Sequence, residues 1–347
     1  MTKSNPGNFF EDFRAGQTIA HATPRTVTEG DVALNCALTG SRYALFSADS
    51  FAQNRGLPGA PVDPLLVFHI VFGKTVPDIS LNAVANLGYA EGRFLAPVYP
   101  GDTLNAVSEV IGLKQNSNGK TGVVTVRTTG FNQDDEAVLS YVRWVMVNKR
   151  DAGAAVTDAP PTTPAPFVKG AELLLPPGLD FEGYDLQLAG APHTFEDYAV
   201  GEKIDHVDGM TVEEAEHQLA TRLYQNTARV HFDALAQKDS RFGKRLIYGG
   251  VTISIARALA FNGLANAQLM LAINGGRHVN PLFAGDTLYA WSEVLDKEDL
   301  GAAGALRLRL VAVKNRNAAG FPFKNEAGEY DPSVVLDFDY WAAAPKR

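Results

Sequence analysis

The sequence predicts an α+β protein made of two tandem copies of one unit, each an antiparallel sheet wrapped around a single buried helix. Three observations predict it. Blocks from the first half of the chain recur, in order, in the second half. Each half carries a helix-like run that is apolar on several faces, as a helix buried all round must be. Strand-like runs follow the first of these with no helical periodicity between them, which suggests an antiparallel meander rather than a βαβ fold.

The repeat is explicit in the residues. Phe10-Glu11-Asp12-Phe13-Arg14-Ala15-Gly16 returns as Phe195-Glu196-Asp197-Tyr198-Ala199-Val200-Gly201, an offset of 185 positions. Thr26-Val27-Thr28-Glu29 returns as Thr211-Val212-Glu213-Glu214. Gly92-Arg93, Pro97 and Gly101-Asp102-Thr103-Leu104 return as Gly276-Arg277, Pro281 and Gly285-Asp286-Thr287-Leu288, an offset of 184. Both copies of this last block continue into Ser-Glu-Val, at Ser108 and Ser292. Order, spacing and identity over three blocks make a duplication.

Within each copy the elements follow from local signals. Thr28-Glu29-Gly30-Asp31 supplies capping residues for a short helix over 32–38. Residues 64–73, opening on Pro64 and closing on Gly73, read as a helix with no polar face, and 251–264 is its counterpart. Strand-like runs cover 103–110, 121–131 and 138–147. Leu306-Arg307-Leu308-Arg309-Leu310 alternates strictly, as a half-solvated strand does. Between the copies, residues 151–192 hold seven of the 19 prolines. Such density forbids a continuing helix or central strand, so the stretch reads as a semi-extended linker. The expected division is 1–150, 151–192 and 193–347.

Composition narrows the function classes. The 347 residues are 46% hydrophobic and 20% charged, ordinary for a soluble globular protein. A net charge of −8 offers no footprint for nucleic acid or an anionic membrane. The single cysteine, Cys36, cannot form an internal disulfide, and no metal-ligand spacing or dinucleotide-binding glycine loop is present. The N-terminal residues lack the apolar stretch of a secretory signal. A cytoplasmic protein without nucleic-acid, membrane, metal or redox-cofactor partners is the expectation.

Each half resembles the MaoC-like hydratase/dehydratase family. The resemblance is carried by Phe-Glu-Asp-Phe at 10–13, Thr-Val-Thr-Glu at 26–29 and Pro-Val-Tyr-Pro-Gly-Asp-Thr-Leu at 97–104. It covers nearly all of the chain outside the linker and implies a double hotdog, acting as an oligomer on an acyl-CoA that is itself the substrate. The runs at 72–78, 221–232 and 261–267 are similar to members whose enoyl-CoA carries a second carboxylate on the attacked carbon.

The family's motif reads Gly-Asp-x-Asn-Pro-x-His, followed later by a short Ile-Val-His-Gly. Adding water to an unsaturated thioester needs a base near neutral pKa, a proton for the α-carbon and N–H groups for the developing enolate oxygen. Histidine suits the first task. In the first half the motif positions hold Gly40, Ser41, Tyr43, Ala44 and Phe46, so this copy reads as a scaffold or CoA-side domain. In the second half they hold Gln225, Asn226, Ala228, Arg229 and His231, followed by Ile247-Tyr248-Gly249-Gly250. The resemblance implies His231 as base, Asn226 as a water-holding group and Gly249 as the oxyanion glycine. Tyr248, Gly250, Lys244 and Arg245 become substrate-binding candidates, the last two for CoA phosphates. Arg229, where the family has proline, is the expected partner of the substrate's carboxylate, with Arg42 and Arg277 next in line. His69 and His278 read as structural histidines, His69 as one bonded to backbone.

Three other readings stay open: a fatty-type (R)-enoyl-CoA hydratase, a hotdog thioesterase, and a non-catalytic acyl-CoA-binding protein. Loss of the motif's aspartate speaks against the first. The central helices lack the carboxylate that the second needs. Retention of His231 and Gly249 speaks against the third.

Overall fold

A computed structural model describes residues 3–347 of the chain. In the first copy, Thr28 caps the helix Glu29–Thr39 reciprocally with Asp31, and Gly40 ends it at φ 71°, a left-handed position. The central helix Pro64–Thr75 starts on Asp63, whose carboxylate accepts from the Leu65 amide, and all its residues are buried. Burying each of its large apolar side chains is worth about 1.5–3 kcal/mol, so packing rather than propensity holds this helix. The second copy repeats the plan with Glu214–Leu223 and Gly249–Leu259.

The second central helix is shorter than the 251–264 expectation. It stops at Leu259, and Asn262 and Gly263 leave helical geometry. The cause is local: the Asn262 side chain donates to the His206 carbonyl, while the His206 ring donates from Nδ1 to the Asn262 carbonyl.

Strands β1 (Thr18–Ala20), β2 (Arg25–Thr26), β3 (Ala83–Phe94), β4 (Thr103–Gln115), β5 (Thr121–Phe131) and β6 (Ala137–Asn148) belong to the first copy. Strands β7 (Lys203–Thr211), β8 (Leu269–His278), β9 (Thr287–Asp299), β10 (Gly304–Lys314) and β11 (Val334–Ala344) belong to the second. They form one 11-stranded sheet in the order β1-β4-β5-β6-β3-β8-β11-β10-β9-β7, with β2 paired to β4. The copies join edge to edge where β3 pairs antiparallel with β8, Tyr89 opposite Gly276 and Arg93 opposite Ala272. Each copy thereby hides an edge that would otherwise invite aggregation.

Both central helices contribute to one continuous core. They touch directly through His69 Nε2 and Ser254 Oγ, 2.9 Å apart. This corrects the backbone-bonded reading of His69. Residues 151–192 are not a loose tether. Leu113 and Ala159 exchange backbone hydrogen bonds, Trp341 Nε1 donates to the Val168 carbonyl, and Leu173 and Leu179 pack against Tyr43, Phe46 and Trp341. No helix among the described residues is long and apolar enough to cross a membrane.

Candidate active site

The main cavity, about 560 Å³, lies between the two copies and is lined from both. On the second-copy side the chain leaves helix Glu214–Leu223 through Gln225, at φ 53°. The side-chain Oδ1 of buried Asn226 then accepts from the Ala228 amide at 3.0 Å. That turn starts the short helix Arg229–Phe232 and aims His231 at the cavity. His231 Nδ1 lies 3.0 Å from the Leu246 carbonyl oxygen, which can only accept. The ring therefore carries its hydrogen on Nδ1 and leaves the Nε2 lone pair free. Burial pulls its pKa down to about 4, partly offset by the Leu246 bond, so the ring is neutral near pH 7.

Tyr248, Gly249 and Gly250 open the second central helix, and Tyr248 and Gly249 line the same cavity as His231. His217 Nε2 accepts from the Tyr248 amide at 2.9 Å and fixes the turn. The Gly249 and Gly250 amides stand at the first helical positions, where no intrahelical acceptor exists, at the positive end of the helix. A Cβ on Gly249 would sit 2.4 Å from His278 Nε2, so this close approach requires glycine. Such amides suit an oxygen on which negative charge develops.

The first copy contributes more than sequence reasoning assigned to it. Phe72, Asn86, Tyr89 and Arg143 line the same cavity. Tyr89 and Arg143 are cross-strand partners on β3 and β6, so their side chains share a face. Arg143 is fully buried and stacks 4.2 Å over the Phe72 ring. Its Nη2 donates to Thr75 Oγ1 at 2.7 Å, while Nε and Nη1 have no hydrogen-bond partner. Tyr248 Oη and both polar side-chain atoms of Asn86 are likewise buried without a partner. Tyr89 Oη lies 3.4 Å from His278 Nε2, and His278 also lines the cavity.

His278 is therefore a cavity residue, not only the structural one expected. The repeat held a signal for it: Phe94 stands at the equivalent first-copy position, just as Phe46 stands opposite His231. Arg143 has no counterpart signal in the motif; it is the single charged residue of the run 138–147, on a face shared with Leu139, Tyr141, Val145 and Val147.

Of the other expected site residues, Arg229 lines the cavity but is exposed. Three lie outside the cavity lining. Gly250 does not line the cavity; a Cβ there would meet the His69 ring at 2.7 Å. Arg245 is bound by Glu214 and Gln218. Lys244 is exposed, its Nζ 4.1 Å from the Phe283 ring centre, and also lies outside the lining. Neither reserve arginine lines the cavity, and Arg42 stacks on Phe261. In the first copy the equivalent pocket, beside Pro64 and Phe94, is narrowed to about 40 Å³ and lined by Leu174, Leu175 and Pro176 of the connecting segment. Among the described residues, no group of three His, Cys, Asp or Glu side chains is placed to hold a metal ion.

A neutral histidine with a free nitrogen and a helix-terminal amide at Gly249 on one cavity suit the addition of water to the C=C bond of an enoyl thioester. The family profile described as mesaconyl-CoA hydratase matches residues 1–324. The chain belongs to the mesaconyl-CoA hydratase family. It is 64% identical, over 99% of its length and 100% of the relative's, to a protein of Cereibacter sphaeroides named mesaconyl-CoA hydratase. It is 61% identical, over 99% of both chains, to a Chloroflexus aurantiacus protein named beta-methylmalyl-CoA dehydratase. Among solved structures, a putative MaoC domain dehydratase from Chloroflexus aurantiacus superimposes with a TM-score of 0.97 at 60% identity, covering 100% of each chain. A Mycobacterium tuberculosis protein described as a double hotdog superimposes with a TM-score of 0.77 at 27% identity, covering 97% of this chain and 98% of that one. The fold of this family member is accordingly a MaoC-like double hotdog.

Proposed function

We propose that this member of the mesaconyl-CoA hydratase family adds water reversibly to mesaconyl-CoA, giving β-methylmalyl-CoA. The observation that carries the reading is the fixed tautomer of His231, which leaves Nε2 as an acceptor on the cavity. A water held between His231 Nε2 and the Asn226 amide group loses a proton to His231 as its oxygen bonds to the β-carbon. The electron pair of the C=C bond moves onto the thioester oxygen, which the Gly249 N–H stabilises. The enolate collapses as the α-carbon takes a proton, and the imidazolium of His231 is the donor that holds one. An amide at Asn226 keeps a water-binding group without placing an anion beside the substrate's carboxylate. Like charges about 4 Å apart cost roughly 4 kcal/mol at an effective dielectric of 20.

The assay incubates purified protein separately with mesaconyl-CoA, crotonyl-CoA and acetyl-CoA, following enoyl absorbance and free thiol. Loss of enoyl absorbance with mesaconyl-CoA, without thiol release, is expected. Reaction with crotonyl-CoA alone would make it a fatty-type hydratase, and thiol release alone a thioesterase.

A further inference from the structure

We infer that Arg143, in the copy that lacks the catalytic motif, is the anchor for the substrate's free carboxylate, in place of the exposed Arg229. The inference rests on the mesaconyl-CoA reading and names the group that selects a dicarboxylic acyl chain. Arg143 is a fully buried guanidinium that lines the cavity, and no carboxylate among the described residues lies within ion-pair distance of it. A buried cation without a counterion is expensive to keep. Among the described residues it donates to one neutral hydroxyl, Thr75, and lies over the face of Phe72, with Tyr89, Tyr141 and Tyr248 also close by, and these orient the fork without neutralising it. Nε and Nη1 remain unpaired, and Nη2 keeps a second hydrogen beyond the one given to Thr75, so one edge of the guanidinium, Nε with Nη2 or Nη1 with Nη2, is left to meet the two oxygens of a carboxylate.

The two other buried arginines supply the contrast. Arg55 donates to the Glu182 and Gly183 carbonyls and Arg257 to the Ala267 and Gln268 carbonyls, and neither lines this cavity, so both serve the fold. The unpartnered Tyr248 Oη and the Asn86 amide line the same cavity as Arg143, adding neutral polar groups to the receptor. Tyr248 links this receptor to the base, its ring centre 5.4 Å from that of His231 and 5.9 Å from that of Phe72. Attraction between Arg143 and an anion is several-fold stronger in such a dry site than at exposed Arg229. The same cation offsets the carboxylate's repulsion of a nucleophile approaching the adjacent carbon. The first copy then grips the acyl end of the substrate, which reverses its expected role as a CoA-side scaffold.

The test compares wild type with Arg143→Met and Arg143→Lys. Hydration of mesaconyl-CoA and crotonyl-CoA is measured, together with calorimetric binding of succinyl-CoA and butyryl-CoA and the thermal midpoint. In Arg143→Met, kcat/KM for mesaconyl-CoA is expected to fall by at least about 10²-fold. Succinyl-CoA binding should weaken in parallel, while crotonyl-CoA and butyryl-CoA are unchanged or improved. The midpoint should hold or rise, because an uncompensated buried charge has been removed. Arg143→Lys, which keeps the charge without the fork, should fall between. Equal losses on both substrates, an unchanged ratio, or unfolding of both variants would overturn the assignment. Wild type inert to mesaconyl-CoA would instead refute the proposed function, while a succinyl-CoA preference lost in Arg143→Met would still uphold the anchor.

Discussion

His231 can accept a proton only at Nε2, because the Leu246 carbonyl holds the hydrogen of Nδ1. His231→Gln should therefore lower kcat by about 10² to 10⁴-fold while KM changes little, in steady-state assays on mesaconyl-CoA. The pH profile gives a second check. Since burial pulls the ring's pKa to about 4, kcat/KM should stay flat from mildly acidic to mildly alkaline pH. It should fall only as Nε2 is protonated near pH 4. An acid limb near the ordinary histidine value would place the base elsewhere. Gly249 is constrained in another way: a methyl group there would drive into the His278 ring, 2.4 Å away. Gly249→Ala should displace the amide proposed to receive the enolate oxygen and cost about 10² to 10³-fold in kcat. Circular dichroism should show the fold retained.

At the scale of elements, the close contact between the first central helix and the turn before Asn226 couples the two copies. A Cβ on Gly73 would lie 1.9 Å from the Tyr224 carbonyl oxygen, a backbone atom with no rotamer to yield. Gly73→Ala should lower unfolding stability by about 1–3 kcal/mol, read from the denaturant midpoint, and should also slow hydration by shifting the Asn226 turn. The elements themselves were largely legible. Capping at Thr28, the proline start at Pro64 and the strand runs 121–131 and 138–147 each rest on a local signal that packing reinforced. The break after Leu259 was not, because it depends on a bond between Asn262 and His206, 56 positions apart. Nor was the anchored course of 151–192, since proline density records what the segment cannot form and not what it packs against.

Over the whole molecule, the chemical asymmetry lies between copies that share one fold. His231 was legible through its register in the repeat and His278 could have been, whereas Arg143 of the first copy shares their cavity because β3 and β8 join the copies. The buried histidines also set the pH response of stability. Burial lowers the pKa of His69 and His217 to about 3, and of His206, His231 and His278 to about 4. These rings fold neutral and must take up protons on unfolding in acid, so their contribution is complete above the unfolded value near 6.5 and is lost as pH falls toward 4. Asp63, raised by burial to about 6, acts in the opposite sense and is outnumbered. Denaturant midpoints measured between neutral pH and pH 4 should therefore decline steadily.

In the proposed reaction one base, set in one copy, hydrates a dicarboxylic enoyl thioester in a cavity shared by both. It is tested most directly by reacting mesaconyl-CoA with wild type and His231→Gln in heavy-oxygen water and weighing the products. The account predicts that wild type places one solvent oxygen in the hydroxyl of β-methylmalyl-CoA, and that His231→Gln does so at least about 10²-fold more slowly. Heavy oxygen appearing in a released free acid, or equal incorporation by the two proteins, would contradict it.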